Sequence, residues 1–284
     1  MMKSKSKNKI RNKIVLYVAL LIFAAIFILP VLIMIFGAFK EDELQILTDM
    51  KSFRAFLPVG QLGLENFRED FARANILSFL KNSVIITGIS IVIGTFTNSM
   101  LGYALARLKF TGKSIILKVV IALLIIPGEA IMIPQLLMVN SMGLIDTYTV
   151  QIMPGICGAF ATFLFYQAFL SMPKELEEAA IMDGVSYPGI YFKIVMPLSK
   201  PTIITTIILA SLDRWGDVLW PTMVTRGARV RPLAVGINQL YSNTSRHWGD
   251  IFAACVILVV PVLILYIFFQ KQFVESMATS GIKG

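Results

Sequence analysis

Twenty-six consecutive residues from Ile14 to Phe39 carry no charge, and that run decides most of what this chain can become. At about 1.5 Å per residue, a helix of that length exceeds the ~30 Å hydrocarbon core of a bilayer. Inside hydrocarbon every backbone N–H and C=O must find a partner within the protein, so such a run crosses as a helix. The basic residues before it, Lys3, Lys5, Lys7, Lys9, Arg11 and Lys13, imitate a secretory signal. The apolar run is too long for one, because signal cores hold about 7–15 residues, and no small-x-small cleavage pattern follows.

Further apolar stretches lie at roughly 83–106, 115–139, 147–170, 201–224 and 250–270. The second is diluted by glycines and by Thr95, Thr97 and Asn98, and the fifth by charges. Of the 284 residues only 15% are charged, and mean hydropathy is +0.75; soluble domains carry about 25% charged residues. The expected architecture is an all-α membrane protein with six transmembrane helices in a single domain, 1–284.

Charge placement orients the spans. The lysine-serine start (1–13), read as disordered, and the acid-free group Arg107, Lys109 and Lys113 look cytoplasmic, because basic residues collect on that side. Segment 40–82 holds Glu41, Asp42, Glu43, Asp49, Glu65, Glu69 and Asp70 and is placed outside. Both termini and the segment 171–200 then face the cytoplasm, and 225–249 faces outward. Arg226, Arg229, Arg231 and Arg246 in that outer loop run against the rule. Leu64, Phe67, Phe71, Ala74 and Leu77 recur at helical spacing and predict a short amphipathic helix on the outer face.

Several function classes drop out. The net charge of +9 does not indicate nucleic acid, since no aromatics interleave with the terminal lysines. Gly112-Lys113-Ser114 ends like a phosphate-binding loop, but the glycine required about five residues earlier is Arg107, and no strand precedes it. No HExxH or CxxC pattern occurs, His247 is the single histidine, and Cys157 and Cys255 sit in apolar runs as small packing residues. No nucleophile–base set appears. The expectation is a chain with no metal or cofactor of its own, not an enzyme.

The polar interruption at 171–200 carries the chemistry. Pro173 can open a helix whose first turn is complemented by Glu175, Glu177 and Glu178. Ala179 and Ala180 favour helix and leave a smooth surface. Gly184 can take the left-handed conformation that ends a helix. Ser186 can cap a second short helix, entered by Pro188 and terminated by Pro197. The product is a stiff elbow hinged at one glycine. Spacing alone leaves two readings, a connector between spans or a knob for a protein groove.

Glu178-Ala179-Ala180, Asp183-Gly184, Ile194 and Pro197 resemble the EAA loop of permease subunits in binding-protein-dependent ABC importers. Met196 stands where that family commonly has leucine. IPGEAIMIP (126–134), MGLIDTY (142–148), PKELEEAAIMDG (173–184), WGDVLWP (215–221) and GIKG (281–284) resemble the smaller permease subunit of maltose-type sugar importers. Gly216, where asparagine is frequent, and Ser276-Met277, where glycine is, depart from it. The resemblance implies a permease of a prokaryotic cytoplasmic membrane, paired with a second permease and fed sugar by an extracytoplasmic solute-binding protein. ATP and Mg would reside on a cytoplasmic ATPase dimer that grips the elbow at Glu178, Ala179, Ala180, Asp183, Gly184, Ile194 and Pro197.

The pathway residues come from the spans. Charges near the bilayer centre cost about 2.5–3.5 kcal/mol each and so face a cavity or a partner. Along straight helices Asp213 lies roughly 18 Å, and Glu129 roughly 21 Å, from the cytoplasmic end of its span. Glu129, Asp213, Arg214, Trp215, Asp217 and Trp220 then form one polar, aromatic layer suited to sugar. Asp213 and Asp217 share a helix face, and Arg214 reaches Asp217 at i, i+3, either as pathway or as an interface ion pair. Pro127 and Pro134 are expected to interrupt the third span. Arg226, Arg229 and Arg231 either dock the binding protein or are incidental. The competing class is an ion-coupled secondary transporter using Asp213, Asp217 and Glu129.

Overall fold

The computed structural model describes residues 2–68, 75–243 and 247–281, with side chains described from residue 12 to 239 and 247 to 270 within those ranges. Phe71, Ala74, Glu69, Asp70 and Arg246 lie outside the described residues, as do the last three residues of GIKG; the side chains of Lys3 to Arg11, Ser276 and Met277 are likewise not described. Among the described residues every regular element is helical, apart from one isolated bridge between Lys40 and Leu62.

The helices are α1 (Met2–Ala38), α2 (Glu43–Asp49), α3 (Ile76–Arg107), α4 (Lys113–Leu123), α5 (Gly128–Ser141), α6 (Tyr148–Ile156) and α7 (Ala159–Leu170). There follow α8 (Glu175–Met182), α9 (Tyr187–Leu198, with a π turn at Tyr191–Val195), α10 (Lys200–Trp215), α11 (Leu219–Val224), α12 (Leu233–Asn243) and α13 (Trp248–Gly281). Asn12–Ala38, Ile76–Arg107, Tyr148–Leu170 and Trp248–Gln270 are each long and apolar enough to cross a membrane. Two bent pairs, α4 with α5 at 108° and α9 with α10 at 77°, bring the count to six if each is one span. The lysine-serine start is helical from Met2, not disordered. Nucleating a helix is the costly step, and lysine propagates one well once the apolar run has formed it.

Two compact units emerge. The first comprises 1–75 and 239–259. Its centre is the buried Lys40, whose Nζ donates to Asp49 Oδ2 at 2.7 Å and to the Arg54 carbonyl at 3.1 Å. Asn66 Nδ2 donates to the Ala38 and Lys40 carbonyls at 2.9 and 2.8 Å, capping the end of α1. Glu43 accepts the Trp248 N–H at 3.0 Å and fixes the start of α13.

The second unit comprises 76–238 and 260–284 and is organised around α3. Many of the small and polar residues that weaken this helix as an apolar run form its buried face: Ser83, Thr87, Ser90, Gly94, Asn98, Ser99 and Gly102, while Thr95 and Thr97 are half-buried and Gly88 is exposed. Small residues let membrane helices approach closely. A Cβ on Gly94 would lie 2.5 Å from the Gly155 carbonyl oxygen, and one on Gly102 would lie 2.7 Å from Phe165 Cβ.

Helices α6 and α7 meet at Cys157-Gly158, where helical bonding lapses. Asn98 repairs the gap: its Oδ1 accepts the Gly158 N–H and the Thr162 hydroxyl, both at 2.8 Å, while its Nδ2 donates to Ile156 and Gly94 carbonyls at 3.3 and 2.6 Å. The Thr97 hydroxyl donates to the same Ile156 carbonyl. Pro127 does interrupt its span, as the N-cap of α5, whereas Pro134 sits inside α5 without breaking it.

Candidate coupling elbow and polar cavity

Helix α8 begins at Glu175, with Lys174 rather than Pro173 at its cap. Glu178 and Ala179 are exposed, and Ala180 is buried among Tyr103, Phe165, Phe169, Ile190, Tyr191 and Val195. The expected smooth alanine face is thus divided, one alanine outward and one inward. Asp183 is exposed and caps the helix, its N–H bonded to the Ala179 carbonyl at 3.0 Å.

Gly184 has φ +76°, the left-handed conformation. Its N–H bonds to the Ile181 carbonyl and the Val185 N–H to the Ala180 carbonyl, both at 2.9 Å, the paired pattern of a Schellman cap. Ser186 occupies the cap position of α9, but its side chain makes no capping bond. Pro197 does not terminate α9 either. The helix widens into its π turn before the proline and ends at Leu198, and Ser199 Oγ donates to the Val195 carbonyl at 2.7 Å where the chain turns into α10. Ile194 packs half-buried against the Tyr103–Val195 cluster.

One anchor joins this elbow to α3. Arg107 Nε lies 3.0 Å from Glu177 Oε1, with the two side chains 4% and 13% exposed. Arg107 Nη2 also donates to the Met172 carbonyl at 2.6 Å. Burial holds the Glu177 carboxyl above its usual range, and the Arg107 charge pulls it back down. Arg107, which marks a cytoplasmic flank in the sequence, is turned inward.

The polar layer closes around a cavity of about 600 Å³ lined by Glu129, Gln135, Asp213, Arg214, Asp217 and Trp220, among others. The straight-helix distance for Glu129 does not apply, since its span turns 108° just before it, yet the residue reaches the same cavity. Helix α10 ends at Trp215, so Asp213 and Asp217 do not share a helix face and the i, i+3 pairing of Arg214 with Asp217 lapses. Arg214 Nε instead lies 3.3 Å from Asp213 Oδ2. Asp217 accepts the Trp220 N–H at 3.3 Å in the first turn of α11. The Trp220 ring N–H donates to the Val150 carbonyl at 2.9 Å.

Trp215 does not line this cavity. Two residues along a helix is about 200° of rotation, and that turns it into an apolar fissure with Val84, Ile208, Pro261 and Leu265. A second chamber of about 360 Å³ shares Pro154, Asp213 and Arg214 with the first and extends to Ser90, Asn98 and Thr206.

Residues 98–279 match the model of the family described as binding-protein-dependent transport system inner membrane component. This chain belongs to that family. It is 34% identical over 94% of both chains to the arabinooligosaccharides transport system permease of Halalkalibacterium halodurans. It is 36% identical over 72% of both chains to the corresponding permease of Bacillus subtilis. Among solved structures, a bacterial ABC transporter involved in import of the acidic polysaccharide alginate superposes with a TM-score of 0.78, covering 91% of this chain and 95% of that one at 24% identity, a likeness of fold. The chain is therefore a membrane permease, a transport component whose family keeps ATP hydrolysis on a separate subunit.

The permease's arginine loop is built, not slack. Asn82 Nδ2 donates to the Arg229 and Arg231 carbonyls at 3.1 and 2.9 Å, and Gln151 Nε2 to the Val230 carbonyl at 2.8 Å. The Tyr148 hydroxyl donates to Asn82 Oδ1 at 2.6 Å, and Ser83 Oγ accepts the Leu233 N–H at 2.8 Å. Asp146 accepts the Arg226 N–H at 3.1 Å and lies 3.7 Å from Arg229 Nη2. Arg231 Nη2 donates to the Arg226 carbonyl at 3.4 Å. In the sequence Arg107 reads only as a flank and Asn98 only as a dilution of its span, and nothing there marks Asn82 or Asp146 as functional. The one local signal was Asn98, a carboxamide at a membrane depth where it must be bonded.

Proposed function

We propose that this permease forms half of the translocation pathway of an ATP-driven oligosaccharide importer, with both termini cytoplasmic. A second permease supplies the other half, a solute-binding protein delivers the sugar, and a cytoplasmic ATPase dimer holds the nucleotide and its magnesium. The observation that carries the reading is the elbow. A helix of eight residues ends in a fixed glycine cap and is tied to α3 by a buried ion pair. It presents Glu178 with the exposed Ile181 and Met182, 46% and 87% accessible. Exposed apolar groups beside a carboxylate suit a protein groove bearing a basic residue.

A push on a stiff elbow with one buried anchor passes to α3, and α3 supplies Ser90, Gly94, Thr95 and Asn98 to the wall of the smaller chamber. A two-state push requires stiff elements of this kind. The named cargo of the two permeases about one-third identical to this chain supports oligosaccharide, and carboxylates with an indole in one cavity suit sugar hydroxyls and ring faces. An ion-coupled carrier built on Asp213, Asp217 and Glu129 is not favoured, because the relatives are permeases of binding-protein-dependent systems.

The test is purification of the complex with its ATPase, reconstitution, and ATPase and uptake assays over a panel of oligosaccharides. Sugar-stimulated hydrolysis that disappears in Glu178→Lys supports the proposal. Uptake driven by an ion gradient without nucleotide refutes it.

A further inference from the structure

The two chambers of the polar cavity differ in charge and in what they leave unbonded. Three carboxylates, Glu129, Asp213 and Asp217, line the larger one, and Arg214 is the one cation beside them among the described residues. Arg214 lies 3.3 Å from Asp213 and its charge also acts on Asp217, so the three carboxylates share one cation there. The smaller chamber holds Ser90, 3% exposed, whose hydroxyl has no hydrogen-bond partner. A Cβ on Gly155 would sit 3.2 Å from both Ser90 Cβ and Arg214 Nε, so a side chain there would crowd the wall of the smaller chamber.

We infer that this cavity is a hydroxyl-reading, anion-repelling subsite, which selects uncharged sugar units over uronates and other acidic ones. The inference rests on the transport reading above and adds the charge class of the cargo. Ionised carboxylates are acceptors only, and charge-assisted bonds from sugar hydroxyls to them are stronger than neutral ones. A serine hydroxyl can both give and take a bond with the same hydroxyls. A uronate carboxylate in the larger chamber would face three carboxylates that share a single cation in a partly enclosed site, where like charges are strongly unfavourable and little screened. The volume of about 600 Å³ lies within the 300–1,000 Å³ typical of small-ligand sites (roughly), enough for part of an oligosaccharide at a time.

The field is measurable without knowing the sugar. In the assembled complex, Gln135→Cys places a thiol on the wall of the larger chamber. Its modification is followed by mass spectrometry with a trimethylammonioethyl and a sulfonatoethyl methanethiosulfonate. The cationic-to-anionic rate ratio should exceed that of free cysteine by about tenfold or more, the low end of electrostatic focusing in clefts, and should shrink as salt is raised. Glu129→Gln with Asp217→Asn, which keeps the acceptor for the Trp220 N–H, should return the ratio to the free-thiol value; Glu129→Gln alone should move it part of the way.

A ratio equal to that of free cysteine in the complex, or one insensitive to both substitutions, overturns the inference, whether through a compensating cation from the partner permease or otherwise. The two readings fail separately. Loss of oligosaccharide import with an intact ratio removes the transport reading, and intact import with a neutral ratio removes the charge filter alone.

Discussion

Arg107 and Glu177 are seventy positions apart in the chain and 3.0 Å apart in the fold, joining the end of α3 to the first turn of α8. The contact is nearly dry, and the same guanidinium holds the Met172 carbonyl at 2.6 Å just before α8 begins. Any force on the elbow therefore reaches α3 through a charged strut as well as through the packed rings of Tyr103, Phe169 and Tyr191.

Removing one end of that strut leaves the other charge buried and alone, a change that costs about 3–5 kcal/mol in buried pairs. Arg107→Ala should abolish sugar-stimulated ATP hydrolysis while basal hydrolysis of the assembled ATPase persists. The exchanged pair Arg107→Glu with Glu177→Arg should regain part of the stimulation, a rescue that damage to folding alone would not give. Equal stimulation in Arg107→Ala and the parent would remove the strut from the mechanism.

Gly184 separates two kinds of defect. Nothing lies within 4 Å of the position a Cβ would take, and its φ is +76°. Gly184→Ala therefore meets only the left-handed backbone penalty, about 1–2 kcal/mol, and should lower coupled uptake moderately; asparagine should be milder. Gly184→Pro cannot reach a positive φ and also loses the N–H bonded to Ile181, so it should abolish coupling. The readout is uptake per ATP hydrolysed in proteoliposomes, with alanine and proline expected to differ clearly.

Asn98 is the test of the broken span. It satisfies the Gly158 N–H and the Ile156 carbonyl where helical bonding lapses. Asn98→Leu keeps the approximate volume and strands those groups, each costing about 1–3 kcal/mol when left unsatisfied. The thermal transition of the purified complex should fall by several degrees, and Asn98→Asp, an acceptor that keeps one of the two roles, should fall between. An unchanged transition in Asn98→Leu would mean that water or a neighbour fills the role.

What could be read along the chain was whatever depends on neighbours in sequence. The uncharged runs, the glutamate start of α8 and the glycine that ends it are local, because span length, helix dipole and backbone conformation are each set within a few residues. Arg107 with Glu177, Asn98 with Gly158, and Lys40 with Asp49 were not legible, since no periodicity links two polar groups that meet only after the helices pack. The pathway residues fall between these cases. Straight-helix arithmetic chose Glu129, Asp213 and Asp217 for one layer and was right about their company, yet Pro127 and the end of α10 at Trp215 put them there by bends it did not contain. The same arithmetic placed Trp215 in the layer, and helical rotation takes it out.

Acid should loosen the first unit at one identifiable point. The Asp49 carboxyl is held below its usual range chiefly by the hydrogen bond from Lys40, with burial opposing and the Lys40 and Arg54 charges assisting. A carboxylate depressed in the folded state contributes stability that is present above its unfolded value of about 3.9, and that stability is lost as pH falls through the folded value. Below that window Lys40, 2% exposed, keeps only the Arg54 carbonyl as a close partner. Hydrogen exchange should then quicken at the amides that close this segment, Glu41 bonded to Gln61 and Gly63 bonded to Phe39. Asp49→Asn should show the quickened exchange already at neutral pH and little further change on acidification. If the parent and Asp49→Asn exchange alike at neutral pH, the buried pair is not what holds the segment closed.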